Sequence, residues 1–113
     1  MTKYNPDTVS YPSETLLDLM YDNNYYDYWV LAEKIYEVMS TQKYDDCVMK
    51  YFVDVNSIYR KLYRIVKYNR DIDAVMALAF EKVFGVSSDF WIERQKNYDD
   101  WCEKYFDEFA YED

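Results

Sequence analysis

A chain of 113 residues with one glycine, Gly85, and two prolines, Pro6 and Pro12, has few places to turn tightly. Sandwiches and barrels of strands need a tight turn about every eight to twelve residues. Those turns draw on glycine for positive φ and on proline for a preset φ, and this chain lacks both. Half of the residues are hydrophobic and 21% are aromatic, enough apolar surface to offset the entropy of ordering. The expectation is an all-α protein of five to six short helices with an extended C-terminal helix. One domain suits this length.

Apolar spacing places the helices. Residues 1–11 are polar and aperiodic and read as a flexible arm; 12–110 read as a single helical domain and 111–113 as an acidic tail. Ser13 is a plausible N-cap for a first helix carrying Leu16, Leu17, Leu19 and Met20, ended by Asp22, Asn23 and Asn24. In Asp27–Met39, Tyr28, Leu31, Ile35 and Val38 recur at three- and four-residue spacing, as one face of a second helix requires. Asp45 or Asp46 can cap a short helix with Cys47, Val48, Tyr51 and Phe52, although Tyr51–Val55 also reads as a short strand. Val55–Val66 sets Ile58, Leu62 and Ile65 on one face. Asp73 caps the apolar run AVMALAFEKVF, which stops at Gly85, where a helix C-cap favours glycine. Ser87 or Ser88 starts the last helix, in which Trp91, Tyr98, Tyr105, Cys102 and Phe109 follow a heptad-like pattern.

Several kinds of chemistry are unsupported. There is no histidine, hence no usual general base and no common zinc ligand. A single glycine leaves no phosphate loop, dinucleotide fingerprint or nucleophile elbow. The pairs Asp45-Asp46, Asp99-Asp100 and Glu112-Asp113 lack the glycine-bearing loop of a calcium site and read as caps and solvated surface. Cys47 and Cys102 read as small buried hydrophobes. No enzyme activity, metal or cofactor is expected. The chain shows no signal peptide and no membrane span, so a cytoplasmic location is expected.

Charge is distributed unevenly. The formal net charge is −9, yet Val55–Arg70 (VNSIYRKLYRIVKYNR) carries Arg60, Lys61, Arg64, Lys67 and Arg70 and no acid. Those sixteen residues hold +5, while the other 97 hold 8 basic and 22 acidic groups. On a helix Arg60, Arg64 and Lys67 fall opposite Ile58, Leu62 and Ile65. Long cations reach phosphates, and Asn56, Ser57, Tyr59 and Tyr63 add shorter hydrogen-bonding groups. The candidate DNA-binding set is therefore Asn56, Ser57, Tyr59, Arg60, Lys61, Tyr63, Arg64, Lys67 and Arg70.

The segment Asp71–Trp101 contains Ile72 and Asp73 at its start, Ala77 and Phe80 in the helix, and Phe84, Gly85 and Ser87 at the turn. Phe90, Trp91, Gln95, Tyr98 and Asp99 complete it. In this order the segment resembles, without gaps, the end of the HigA-type antitoxins of the lambda-repressor-like helix-turn-helix superfamily. Upstream, Leu62, Arg64, Ile65 and Arg70 resemble the end of that family's recognition helix and its following loop. Pro12, Glu14 and Leu16 resemble its opening, and Leu31–Ile35 its second helix. Against the family pattern, about twenty residues, 36–55, are inserted before the reading helix, and Lys67-Tyr68 replaces an Asn-Gly turn.

The resemblance implies a homodimeric repressor that reads double-stranded promoter DNA and neutralises a basic ribonuclease toxin. Trp91, Tyr98, Cys102 and Tyr105 are then candidate dimer contacts, and Asp100, Glu103, Asp107 and Glu108 candidate contacts for a basic partner. The competing expectation is an acidic protein-interaction module on a helix-turn-helix scaffold. A phage or mobile-element inhibitor imitating DNA would be one example.

Overall fold

The computed structural model describes residues 10–41, 44 and 46–110, without the side chains of Cys47 and 105–110. The chain is all-α. Six helices follow in order: α1 (Pro12–Asp22), α2 (Tyr28–Ser40), α3 (Asp46–Tyr51), α4 (Val55–Lys67), α5 (Ala74–Phe84) and α6 (Ser88–Ala110). Among the described residues there is no strand, so Tyr51 closes a helix and the strand reading of Tyr51–Val55 is corrected.

Local chemistry sets most helix ends. Asp27 accepts from the Trp29 backbone N–H at 2.8 Å, Asp54 from Ser57 N–H at 2.7 Å and Asp73 from Met76 N–H at 2.9 Å. Each carboxylate satisfies a donor that the first helical turn leaves unpaired. Gly85 ends α5 in the left-handed region at φ 76°, and its N–H reaches the Glu81 carbonyl at 2.9 Å. The Ser87 hydroxyl accepts from Asp89 N–H at the start of α6.

Ser13 differs from the expected N-cap. It lies inside α1, buried, and its hydroxyl donates 3.0 Å to Asn69 Oδ1. Tyr11 holds the cap position without a side-chain hydrogen bond, and Pro12 begins the helix where a missing N–H costs nothing.

One core joins all six elements. Leu16 and Met20 from α1, Leu31, Ile35 and Met39 from α2, and Ile58, Leu62 and Ile65 from α4 meet Met76, Ala77 and Phe80 of α5 and Trp91 of α6. Phe52, just after α3, joins the same core. α2 packs mainly on α4 and α5, α5 on α6, while α1 touches α4 and α6. The Phe80 and Trp91 rings lie 4.9 Å apart at the centre of the α5–α6 contact.

The chain entering α1 is tied to α6. Arg94 donates to the Ser10 hydroxyl at 2.7 Å, the Tyr11 carbonyl at 3.1 Å and the Thr15 hydroxyl at 3.3 Å, and the Tyr11 ring lies 5.1 Å from that of Tyr98. Ser10 and Tyr11 therefore do not belong to a loose arm; the rest of the expected arm, residues 1–9, and the tail 111–113 lie outside the described residues. No helix among the described residues is long and apolar enough to cross a membrane.

Candidate nucleic-acid interface

α4 presents the basic stretch. Ile58, Leu62 and Ile65 are buried, which fixes the rotation of the helix and turns Asn56, Arg60, Arg64 and Lys67 to the exposed side. Among the described residues none of Arg60, Lys61, Arg64, Lys67 and Arg70 makes an ion pair, whereas Lys34 and Glu37 on α2 do, at 3.6 Å. Asp54 lies close enough to Arg60 and Lys61 to feel their charge. Its carboxyl is held below the usual carboxylate range by the Ser57 backbone N–H and hydroxyl first, and by the charges of Arg60 and Lys61 to a smaller extent.

The nine candidate DNA contacts do not form one surface. Asn56, Arg60, Tyr63, Arg64, Lys67 and Arg70 are exposed. Lys61 turns toward α3, half-buried, with Nζ 4.5 Å from the centre of the Tyr51 ring, and is corrected from an outward contact to a cation held over an aromatic face. Ser57 is half-buried and engaged with the Asp54 cap. Tyr59 is half-buried, its ring 5.6 Å from Trp29 and 6.3 Å from Tyr63.

A ring cluster that the sequence pattern did not reveal borders the cations. Trp29 and Tyr28, from the start of α2, lie against Tyr59 and Tyr63, and Tyr68 lies 6.2 Å from Tyr63. Trp29 remains 42% exposed and Tyr68 61%. Tyr28 and Trp29 follow the Asp27 cap as ordinary first-turn residues, so only the packing of α2 on α4 brings them here. Burial, with the neighbouring Tyr63 and Tyr59, raises the Tyr28 phenol above its ordinary value.

The turn after α4 is made without a glycine. Asn69 takes the left-handed conformation at φ 51°, a region that asparagine tolerates better than most side chains. The Arg64 carbonyl accepts both the Tyr68 N–H at 3.0 Å and the Arg70 N–H at 3.3 Å. Since Asn69 Oδ1 also accepts from Ser13, the loop carrying Arg70 is fixed to α1.

The expected dimer stripe is altered. Trp91 has no exposed surface and belongs to the core of its own chain, so it offers nothing to a second copy. Tyr98 is half-buried between Tyr11 and Trp101, and burial together with contacts to Cys102 and Tyr11 raises its phenol well above the ordinary value. Cys102 is a free thiol and half-buried, not the fully buried hydrophobe expected. Asp100 and Glu103 are exposed on α6, while the side chains of Tyr105, Asp107 and Glu108 lie outside those described. Among the described residues no three potential ligands gather as a metal site would require. No family model, curated protein or solved structure matches the chain.

Proposed function

We propose that this chain is a double-stranded-DNA-binding regulator of the antitoxin type, with α4 as its reading helix. One observation carries the reading: in a molecule of net charge −9, Arg60, Arg64 and Lys67 stand exposed on one rigid helix with no ion-pair partner among the described residues. Cations left unpaired amid an excess of carboxylates gain from a polyanion that releases its counterions on contact. Asn56 and Tyr63, exposed beside them, supply shorter hydrogen-bonding groups for base edges. The resemblance of Asp71–Trp101 to HigA-type antitoxins adds promoter autoregulation and a basic toxin as expected partner. Asp100 and Glu103, exposed on α6, suit such a partner by charge.

The test is binding of duplex DNA from the region upstream of the chain's own coding sequence across a salt series. Affinity should fall steeply with salt, and Arg60→Gln and Lys67→Gln should each reduce the slope of log K against log salt by about 1. A chain that ignores the duplex even at low salt is no repressor. The excess of acid outside Val55–Arg70 favours a second reading in that case, an acidic module that binds a basic protein. Asp100→Asn and Glu103→Gln would then weaken binding to a purified basic polypeptide.

A further inference from the structure

The basic stretch divides between two surfaces. Arg60 and Lys67 point away from the bundle, whereas Lys61, Arg64 and Arg70 line, with Tyr51, Ile65 and Asp71, a hollow of about 320 Å³ between α3, α4 and the α4–α5 loop. We propose that this hollow is a phosphoryl-binding pocket, formed between α3, α4 and the α4–α5 loop and adjoining the outward face of α4, with Arg64 at the boundary of the two.

Three cations gathered in one concavity repel one another, and among the described residues no direct ion pair ties any of them to a carboxylate. Asp73 is occupied on both oxygens: Oδ2 accepts from the Tyr51 hydroxyl at 2.6 Å and Oδ1 from the Met76 N–H at 2.9 Å. Asp71 is the one carboxylate in the lining, and its Oδ1 accepts from Gln95 Nε2 at 3.2 Å. Neither it nor any other described carboxylate forms an ion pair with Lys61, Arg64 or Arg70. In the lining itself three positive charges face the single carboxylate of Asp71, while Asp73 behind Tyr51 and Asp54 near Lys61 reduce the surplus from outside it. Two guanidinium groups offer forks of N–H donors that match phosphate oxygens, and the ammonium adds a compact charge.

The walls are held before any ligand arrives. Lys61 lies over the Tyr51 ring, whose hydroxyl is fixed on Asp73. Arg70 follows a loop whose backbone bonds to the Arg64 carbonyl and whose Asn69 side chain is held by Ser13. Ile65, 3% exposed, supplies an apolar floor. Lys61, already held over Tyr51, and the fixed backbone beneath Arg70 lower the ordering cost of binding an anion there. The volume lies at the lower end of small-ligand pockets, about 300 to 1,000 Å³.

The phosphoryl group has two possible sources, a phosphate within a nucleic-acid strand or a free phosphorylated compound. The experiment titrates the full-length chain with inorganic pyrophosphate, followed by calorimetry and by the arginine Nε–H resonances. One saturable site is expected, with Arg64 and Arg70 resonances moving. Arg64→Gln and Arg70→Gln should each weaken it by roughly tenfold, the loss of one charged hydrogen-bonding group. Arg60→Gln and Lys67→Gln should leave it unchanged, and unaltered thermal midpoints show that all four variants fold. Absence of a saturable site, or equal weakening by Arg60→Gln and Arg64→Gln, overturns the pocket. Given a saturable site, displacement of pyrophosphate by duplex DNA upholds it as a seat for a strand phosphate. Simultaneous binding of both upholds it as a seat for a free phosphorylated compound. Because pyrophosphate can bind a chain that ignores duplex DNA, failure of the repressor reading and failure of the pocket are separately visible.

Discussion

α4 and α6 use their charged and polar groups in opposite ways. On α6, Arg94 donates three hydrogen bonds that hold the start of α1, and desolvation lowers its pKa from the ordinary arginine value. Its neighbour Gln95 is buried, accepting from Ile72 N–H at 2.9 Å and donating to Asp71 at 3.2 Å and Asp99 at 3.0 Å. On α4, by contrast, Arg60, Arg64 and Lys67 are exposed and have no ion pair among the described residues. Arg94 and Gln95 of α6 are committed to folding; Arg60 and Lys67 of α4, exposed and without an ion pair among the described residues, can serve something outside the chain. A charged helix face thus acquires meaning from its partners, not from its composition.

The comparison breaks most visibly at Trp91. Trp91→Ala should destabilise the chain by about 3 to 5 kcal/mol, because a fully buried ring against Phe80 leaves a cavity that the bundle refills only in part. Denaturant unfolding measures this; a loss below about 1 kcal/mol would remove α6 from the scaffold role. Gln95→Leu comes next, at about 1 to 3 kcal/mol, since the buried Ile72 N–H loses its acceptor. Hydrogen exchange at Ile72 should accelerate along with the loss.

The effects of pH are smaller and opposite in sign at the two ends of the scale. Asp54 has a folded pKa below its unfolded value, so its cap contributes fully above the unfolded carboxylate value and is lost as acid takes the pH through the lowered one. Amide exchange at Ser57, followed on acidification, checks this. Tyr51, Tyr98 and Tyr28 have folded values above their ordinary ones. Their contributions are complete below the unfolded tyrosine value and disappear as alkali takes the pH through the raised ones. A spectroscopic titration should show these three phenols ionising after most of the fifteen tyrosines.

The smallest stability effect sharpens the comparison. Arg60→Gln combined with Lys67→Gln should leave unfolding free energy within about 0.5 kcal/mol, as expected for exposed groups with no ion pair among the described residues. A larger loss in denaturant unfolding would mean that these cations support the fold after all.

The helices were legible because their signals are local. Asp73 and Gly85 act within one turn of the ends they set, and the spacing of Ile58, Leu62 and Ile65 already assigned the face of α4 that is buried. Ser13 shows where local reading stops. The residue is a good N-cap by type, but it lies one position inside a helix that Pro12 begins, and its hydroxyl bonds to Asn69, 56 residues away. Trp91 illustrates the same limit, since a heptad-like stripe looks identical whether it meets a second copy or the chain's own α5.

By itself the sequence determined an all-α chain, the order of its helices and the concentration of cations in Val55–Arg70. Those follow from residue type and from periodicity along a single element. Tertiary structure alone decided that Lys61, Arg64 and Arg70 share a hollow with Tyr51 of α3 while Arg60 and Lys67 face away, and that Trp29 lies beside Tyr59. The physical reason is that such groupings depend on how helices rotate and pack against one another, and helix packing is set by the whole core at once.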